Sequence, residues 1–387
     1  MRTFGKWLGR ILLALVLATL VVGLWKREEI TRLLAVNSLF DEDRIVENFS
    51  NMSGAFLWAP VARGDLPTEP LPHGPETTLP AEVDDWITAR SVTALLVLKD
   101  GEIRYENYFL GTVPDDRRIS WSLAKSYLSA LVGVLLDEGA IASIDDPVTK
   151  YAPLLTGGAY DGATLRQVLN MASGVVFDED YLDYDSDINR MGRVLALGGE
   201  MDVFAADLKE TFAPPGETWQ YTSIDTHVVG MVVRGATGRS VPELLSEKII
   251  APLGLEQAPY YLTDGVGTAF VLGGLNMTTR DYARFGQMYL QGGSWNGRQI
   301  VPADWVTAST TPSAPPSDGR YDYGYQWWIP KSGPAGAYMA RGIYGQYIFI
   351  DPGRNVVIVT NAADRQFRED GVDEQNIAMF RKIAESL

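Results

Sequence analysis

The chain opens with an apolar run and then settles into two alternating periodicities. No charged residue occurs from Ile11 to Trp25, while Arg2, Lys6 and Arg10 lie ahead of the run. With Phe4, Trp7 and Leu8 included and the basic side chains reaching outward, the segment approaches the ~20 residues that a membrane-spanning helix needs. A basic start before an apolar run is also the form of a secretory signal. Here, however, the run ends Val-Val-Gly-Leu-Trp-Lys-Arg, without a small-residue cleavage site. Positive charge ahead of the run leaves the N-terminus in the cytoplasm and sends the rest of the chain to the outer, periplasmic face of the cytoplasmic membrane. The expectation is a single-pass anchor within residues 1–30. A cleaved signal leads to the same compartment, and a core helix of an intracellular enzyme is the third reading.

Residues 38–82 are punctuated by Pro60, Pro67, Pro70, Pro72, Pro75 and Pro80, which predicts a proline-rich extended arm over 31–84. Residues 91–99 form an almost continuous apolar stretch. Asp100-Gly101 then gives a tight-turn signal, and 102–110 supplies a partner strand, a β-hairpin with a type I′ turn. A second hairpin is predicted near the C-terminus, 346–350 paired with 356–360 around the turn at 351–355, and 374–387 reads as a closing helix. Between them, 122–290 is mostly helical, with 3.6-residue periodicity in 128–136, 165–171, 226–236 and 281–290. The fold class is α/β. A mainly antiparallel sheet is assembled from both ends of an 85–387 domain, flanked by helices, with a helical lobe inserted over roughly 140–285.

Composition narrows the chemistry. The 387 residues carry 33 basic and 49 acidic side chains, a net charge of −16, which argues against generic nucleic-acid binding. Cysteine is absent, so thiolate catalysis and zinc ribbons are excluded. Only His73 and His227 are available as imidazole bases, too few for a His-rich zinc hydrolase. No cofactor or metal is called for.

Ser122-Leu-Ala-Lys125 is the only S-x-x-K in the chain. If a helix starts at or near Ser122, positions i and i+3 share a face and Lys125 Nζ can reach Ser122 Oγ. Burial would press the lysine toward its neutral, basic form. A capping serine beside a solvent-facing lysine would look the same, but Leu128, Leu131, Val132 and Leu135 mark this helix as buried. Tyr221, in Trp-Gln-Tyr-Thr-Ser223, stands just before another helical segment, where a phenol can relay a proton or simply pack in a core. Residues 340–346, Ala-Arg-Gly-Ile-Tyr-Gly-Gln, lead into the last hairpin. Gly342 and Gly345 there permit close backbone approach, or an ordinary bulge.

Taken together, Ser122-x-x-Lys125, Tyr221-x-Ser223 and the Gly342 strand resemble the serine β-lactamase-like superfamily, class C branch. Residues 139–148, 164–174 and 273–286 are similar to it too, so the likeness spans roughly 85–387. Within that group the chain looks most like the aminohexanoate-dimer hydrolases and family VIII-type esterases, through Glu179-Asp-Tyr181, Ser223 and Gly342-Ile-Tyr-Gly-Gln346. The resemblance implies Ser122 as acylated nucleophile, Lys125 as its base and Tyr221 as partner acid/base. It also implies an oxyanion hole from the Ser122 and Ile343 amides, and Ser223, Tyr181, Tyr344 and Gln346 as substrate-binding residues. Two positions depart from the pattern. Ser223 stands where β-lactamases usually have asparagine, and Ala340-Arg341-Gly342 where they have K-[ST]-G. A literal Lys331-Ser332-Gly333 lies upstream, but Pro330 and Pro334 place it in a turn between strands.

The acidic stretch 177–187 reads as a solvated rim loop, because Ile188 and Val194 break the calcium-loop pattern. His227 reads as structural, and His73 falls in the arm. The expected activity is metal-free hydrolysis of a small ester or linear amide through an acyl-enzyme on Ser122. The alternatives are a β-lactamase or D-alanyl-D-alanine carboxypeptidase-like enzyme, and a non-catalytic membrane-tethered binding protein of the same fold. Alternation along the 340–342 strand points Arg341 away from Ala340 and Gly342. If the latter two face the cleft, a carboxylate-bearing β-lactam loses its anchor.

Overall fold

The computed structural model describes residues 2–68 and 70–387. Its strands are β1 (Leu57–Pro60), β2 (Val92–Lys99), β3 (Glu102–Tyr108), β4 (Arg118–Ile119), β5 (Tyr260–Thr263) and β6 (Leu275–Met277). Later in the chain come β7 (Ser294–Trp295), β8 (Arg298–Gln299), β9 (Tyr321–Gly324), β10 (Trp327–Pro330), β11 (Tyr338–Gly342), β12 (Gln346–Asp351) and β13 (Val356–Ala362). The main sheet has the order β3-β2-β13-β12-β11-β10-β9 and is antiparallel throughout. Strands from the start of the domain thus pair with the last strand of the chain, as the sequence predicts. At the β2–β3 turn Asp100 and Gly101 take φ of 56° and 82°, the left-handed pair that a type I′ turn requires.

The almost continuous apolar run at 92–99 results from burial on both faces. Leu96 and Leu98 enter the larger core beside residues of the Ala124–Asp137 and Thr279–Leu290 helices. Leu95 and Val97 enter a second core beneath the Glu82–Ala89 and Val372–Glu385 helices. β12 divides the same way, with Ile348 and Ile350 on one side and Tyr347 and Phe349 on the other. Each such side chain contributes ~1.5–3 kcal/mol on burial. Gly286 brings the Thr279–Leu290 helix down onto this sheet, since a Cβ there would meet Ile348 and Val357 at 2.6 and 2.7 Å.

A second sheet, β1-β5-β6-β4, was not expected. Its strands are two to four residues long, too short to show a period, and two of them interrupt the stretch read as helical. The expected extended arm also needs correction over its first part. The Arg27–Asn37 and Ile45–Ser50 helices and β1 occupy it, and Leu39, Ile45, Phe49, Met52 and Phe56 are buried in the main core. The prolines begin only at Pro60, which ends β1 on a sheet edge where a missing N–H costs little. Beyond it the chain does run along the surface, bridging from His73 to Ile103 beside β3.

At the N-terminus, Phe4–Trp25 lies within one helix, a stretch of 22 unburied residues with mean hydropathy 2.2, long and apolar enough to cross a membrane. The next helix, Arg27–Asn37, packs against the Asp187–Leu197 helix.

Candidate active site

β4 delivers the chain into a 3₁₀ turn, Trp121–Leu123, that continues into the buried Ala124–Asp137 helix. Ser122 sits in that turn, at the helix start anticipated from the sequence. Trp121, directly before it, holds a left-handed backbone at φ 44°, a strained conformation for a bulky residue. Lys125 projects from the first turn of the helix and is 1% exposed. Its Nζ lies 3.0 Å from Ser122 Oγ, 3.3 Å from Ser223 Oγ and 2.8 Å from the Leu272 carbonyl. Burial pushes the ammonium down to about 7, opposed by the nearby Glu179 carboxylate. Burial thus favours the free amine over the ammonium at this position.

Tyr221 ends the segment before the Ser223–Thr237 helix, and Lys125 Nζ lies 5.3 Å from its ring centroid. Burial, then the Glu179 charge, hold its phenol above the usual range, while the Ser122 and Ser223 hydroxyls and Arg341 pull the other way. Its ring packs at 5.0 Å on Trp328. Ser223 is buried behind Lys125 and does not line the cleft, so its expected substrate contact gives way to a contact with the lysine.

Glu179 is the residue that sequence reasoning misplaced. The acidic loop does turn upon itself, with Asp178 and Asp180 accepting the backbone N–H of Asp180 and Leu182. Glu179 instead points inward. Its carboxylate accepts from the Ser223 backbone N–H, at the start of a helix, and from the Tyr181 hydroxyl at 2.9 Å. Burial raises its pKa, and Lys125 and the Ser223 amide restrain the rise. The available signal was its setting between Phe177 and Tyr181, aromatic neighbours that a solvated loop has little reason to carry. His227, by contrast, is the structural residue expected: it meets Asp202 at 2.8 Å, and Asp202 also pairs with Arg234.

The end of β11 closes the site from the other side. A Cβ on Gly342 would collide with the Ser120 carbonyl oxygen and lie 3.1 Å from Ser122 N. The strand backbone is thus seated on the turn that bears Ser122, and Ile343 comes next, at the cleft wall. Gln346 is fully buried and does not reach the cleft. Its side-chain amide donates to the Ala362 and Tyr344 carbonyls at 2.7 and 3.1 Å, fastening the 343–345 turn to β13. Tyr344 is likewise not among the lining residues, and stacks on Phe40 at 5.1 Å. Both had been expected to line the cleft.

The cleft has a volume of about 290 Å³ and is lined by Ser122, Glu179, Tyr181 and Tyr221 within, and by Trp328, Arg341 and Phe367 toward the mouth. Arg341 does point oppositely to Ala340, which is buried in the core, but that direction brings it to the cleft rather than away. There its guanidinium is engaged by Asp373 at 2.5 Å and lies 5.2 Å from the Trp328 ring centroid. Arg320 pairs with Glu374 and Arg368 with Asp180, so each rim cation has a carboxylate partner. Lys331 stays in its turn, reaching the Ser317 carbonyl at 2.6 Å.

Residues 83–380 match the β-lactamase family model. The chain is 33% identical over 329 residues to 6-aminohexanoate-dimer hydrolase of Paenarthrobacter ureafaciens, covering 80% of this chain and 83% of that one. Among solved structures, a Bacillus anthracis protein assigned as a 6-aminohexanoate-dimer hydrolase superposes with TM-score 0.81 at 26% identity, over 90% of this chain and 95% of that one. A family VIII carboxylesterase shares the fold, with TM-score 0.61 at 18% identity, over 81% and 99%.

Proposed function

The chain belongs to the β-lactamase family as one of its serine hydrolases, and we propose that it cleaves a neutral ester or linear amide through an acyl-enzyme on Ser122. The observation that carries this reading is Lys125: a buried amine with a pKa near 7, 3.0 Å from the serine hydroxyl. In this mechanism the free amine takes the Ser122 proton as Oγ attacks the acyl carbon. The Ser122 and Ile343 amides receive the developing oxyanion. Tyr221 and Lys125 pass the proton to the departing alcohol or amine. Water then enters by the reverse path, attacks the ester formed on Ser122 and releases the acid.

The amide half of the proposed range is supported by likeness to the aminohexanoate-dimer hydrolases, and the ester half by the carboxylesterase fold. A β-lactam fits the cleft less well. The strand lysine that would hold its carboxylate is absent, and Arg341 is already paired with Asp373. We further take the Arg2–Trp25 helix as a membrane anchor, with the hydrolase on the periplasmic side. Fractionation after separate removal of outer and cytoplasmic membranes tests that placement.

The direct test of the activity compares kcat/KM for a short-chain p-nitrophenyl ester, a linear amide and a chromogenic cephalosporin, with Ser122→Ala as blank. Ester or amide turnover that exceeds the cephalosporin and vanishes in Ser122→Ala is the expected result. A cephalosporin hydrolysed fastest would restore the β-lactamase assignment. Undiminished turnover by Ser122→Ala would remove the nucleophile.

A further inference from the structure

The family match starts at residue 83, yet a segment well ahead of it touches both catalytic turns. Phe49, fully buried in the Ile45–Ser50 helix, meets Trp121 at 5.5 Å and Tyr344 at 5.4 Å between ring centroids. Phe40 stacks on Tyr344 at 5.1 Å with the planes 14° apart. Trp121 is the residue before Ser122 and Tyr344 the residue after Ile343. Each holds a left-handed backbone, at φ 44° and 60°. Such a conformation costs a bulky residue roughly 1–3 kcal/mol and persists only where its surroundings impose it.

A polar contact ties the same segment to the strand that delivers the nucleophile. Arg118, fully buried in β4, donates from Nη1 to the Val46 carbonyl at 2.5 Å and to Ser50 Oγ at 2.8 Å. It thus clasps the Ile45–Ser50 helix at both its second and its last residue. One short stretch of chain thus grips β4, the turn bearing Ser122 and the turn bearing Ile343.

We propose that residues 40–50 are a brace for the oxyanion site, with Phe40 and Phe49 as positioning residues that hold the Ser122 and Ile343 amides in register. This rests on the reading of those amides as the oxyanion hole. The brace touches no substrate. It acts by keeping the Trp121 and Tyr344 side chains packed, and so their backbones in the strained state. It also means that the smallest competent enzyme includes residues ahead of the family match, continuous with the chain that leaves the apolar N-terminal helix.

Phe40 is 38% exposed, so removing its ring leaves the buried core intact. The test uses the full-length chain in detergent, with kcat and KM measured on a short-chain p-nitrophenyl ester for wild type, Phe40→Ala, Phe40→Tyr and Ser122→Ala. Misplacement of a reacting geometry by a fraction of an ångström predicts a kcat about tenfold lower in Phe40→Ala, with KM within about twofold of wild type. Phe40→Tyr keeps the stack and should restore kcat. An unchanged kcat in Phe40→Ala, or a rise in KM alone, overturns the brace, as does failure of Phe40→Tyr to restore activity. Ser122→Ala separates the two levels. If it is inactive while Phe40→Ala is normal, only the brace is wrong; if it still turns over, the catalytic reading beneath it is wrong as well.

Discussion

Adding one methyl group at Gly342 should damage catalysis far more than folding. The backbone of β11 ends against the Ser122 turn, where the new Cβ would overlap the Ser120 carbonyl oxygen and press on Ser122 N and Trp121 Cβ, both at 3.1 Å. Two of those three are backbone atoms and cannot rotate aside. Relief therefore requires the strand end and the turn to part by roughly 0.5–1 Å, and overpacking of this kind typically costs about 1–3 kcal/mol. A domain with two extended cores survives that loss. The same displacement separates the Ser122 and Ile343 amides, proposed above as the oxyanion hole, and loss of one oxyanion donor lowers kcat by about 10²–10³. The expected result for Gly342→Ala is thus a folded protein with a modestly lower Tm, kcat down about a hundredfold and KM little changed. Steady-state kinetics on an ester, thermal unfolding and the rate of labelling by a fluorophosphonate supply the three readings. A wild-type kcat in Gly342→Ala would refute the reasoning, because the close approach would then have no catalytic consequence.

Lys125 must be neutral to accept a proton, so kcat/KM should rise with pH through about 7. Glu179→Gln removes the charge that favours the ammonium and should move that limb to lower pH by up to ~1 unit; an unmoved limb would separate Glu179 from the lysine. Lys125→Ala and Tyr221→Phe should each lower kcat by about 10²–10⁴ and fall short of additivity when combined, since both act on one proton path; fully additive losses would argue against a shared path. Asp373→Asn frees Arg341 at the cleft wall and should raise kcat/KM for a carboxylate-bearing acyl donor relative to a neutral ester, by about tenfold. An unchanged ratio would mean that Arg341 does not reach bound substrate.

The parts of this molecule legible in its sequence are those where one physical rule dominates. Asp100-Gly101 at the end of an apolar strand fixes a hairpin, because few other pairs adopt two left-handed residues. Likewise Ser122, in the turn that opens a helix, lies within reach of Lys125 in its first turn, and the helix's apolar positions require burial. The β1-β5-β6-β4 sheet was not legible, because β1 and β4 pair with strands far away in sequence and each strand is too short to alternate. The inward turn of Glu179 was hidden for another reason. Five aspartates at 178–187 dominate the local pattern, and only the tertiary position of the Ser223 amide draws one carboxylate out of it. Gln346 and Tyr344 failed as cleft residues through strand geometry. They lie in and just past a turn that redirects the chain, so proximity in sequence to Ile343 does not carry their side chains into the same space.

A count of hydrogen bonds around Lys125 shows why this pocket suits a proton shuttle rather than a fixed ion pair. The ammonium form has three N–H donors, and three acceptors surround it: the Leu272 carbonyl and the Ser122 and Ser223 hydroxyl oxygens. The free amine has two N–H donors and one lone pair. A carbonyl oxygen can only accept, so one N–H must go to Leu272. The lone pair is left for a hydroxyl donor, and Ser122 is the nearer of the two. Both protonation states are therefore satisfied by the same three atoms without rearrangement. In the proposed reaction the proton of Ser122 moves along a bond that already exists, and preorganisation of this kind avoids reorienting dipoles as charge develops. Glu179 fits the scheme by keeping its distance. Its carboxylate is satisfied by the Ser223 amide and the Tyr181 hydroxyl instead of by Nζ. It thus lends the pocket negative potential without claiming the lysine. A direct contact would raise the pKa of Lys125 and hold it charged, as burial alone would drive it lower still. Held beyond contact range, the carboxylate leaves the amine near 7, where it can both take a proton and return it.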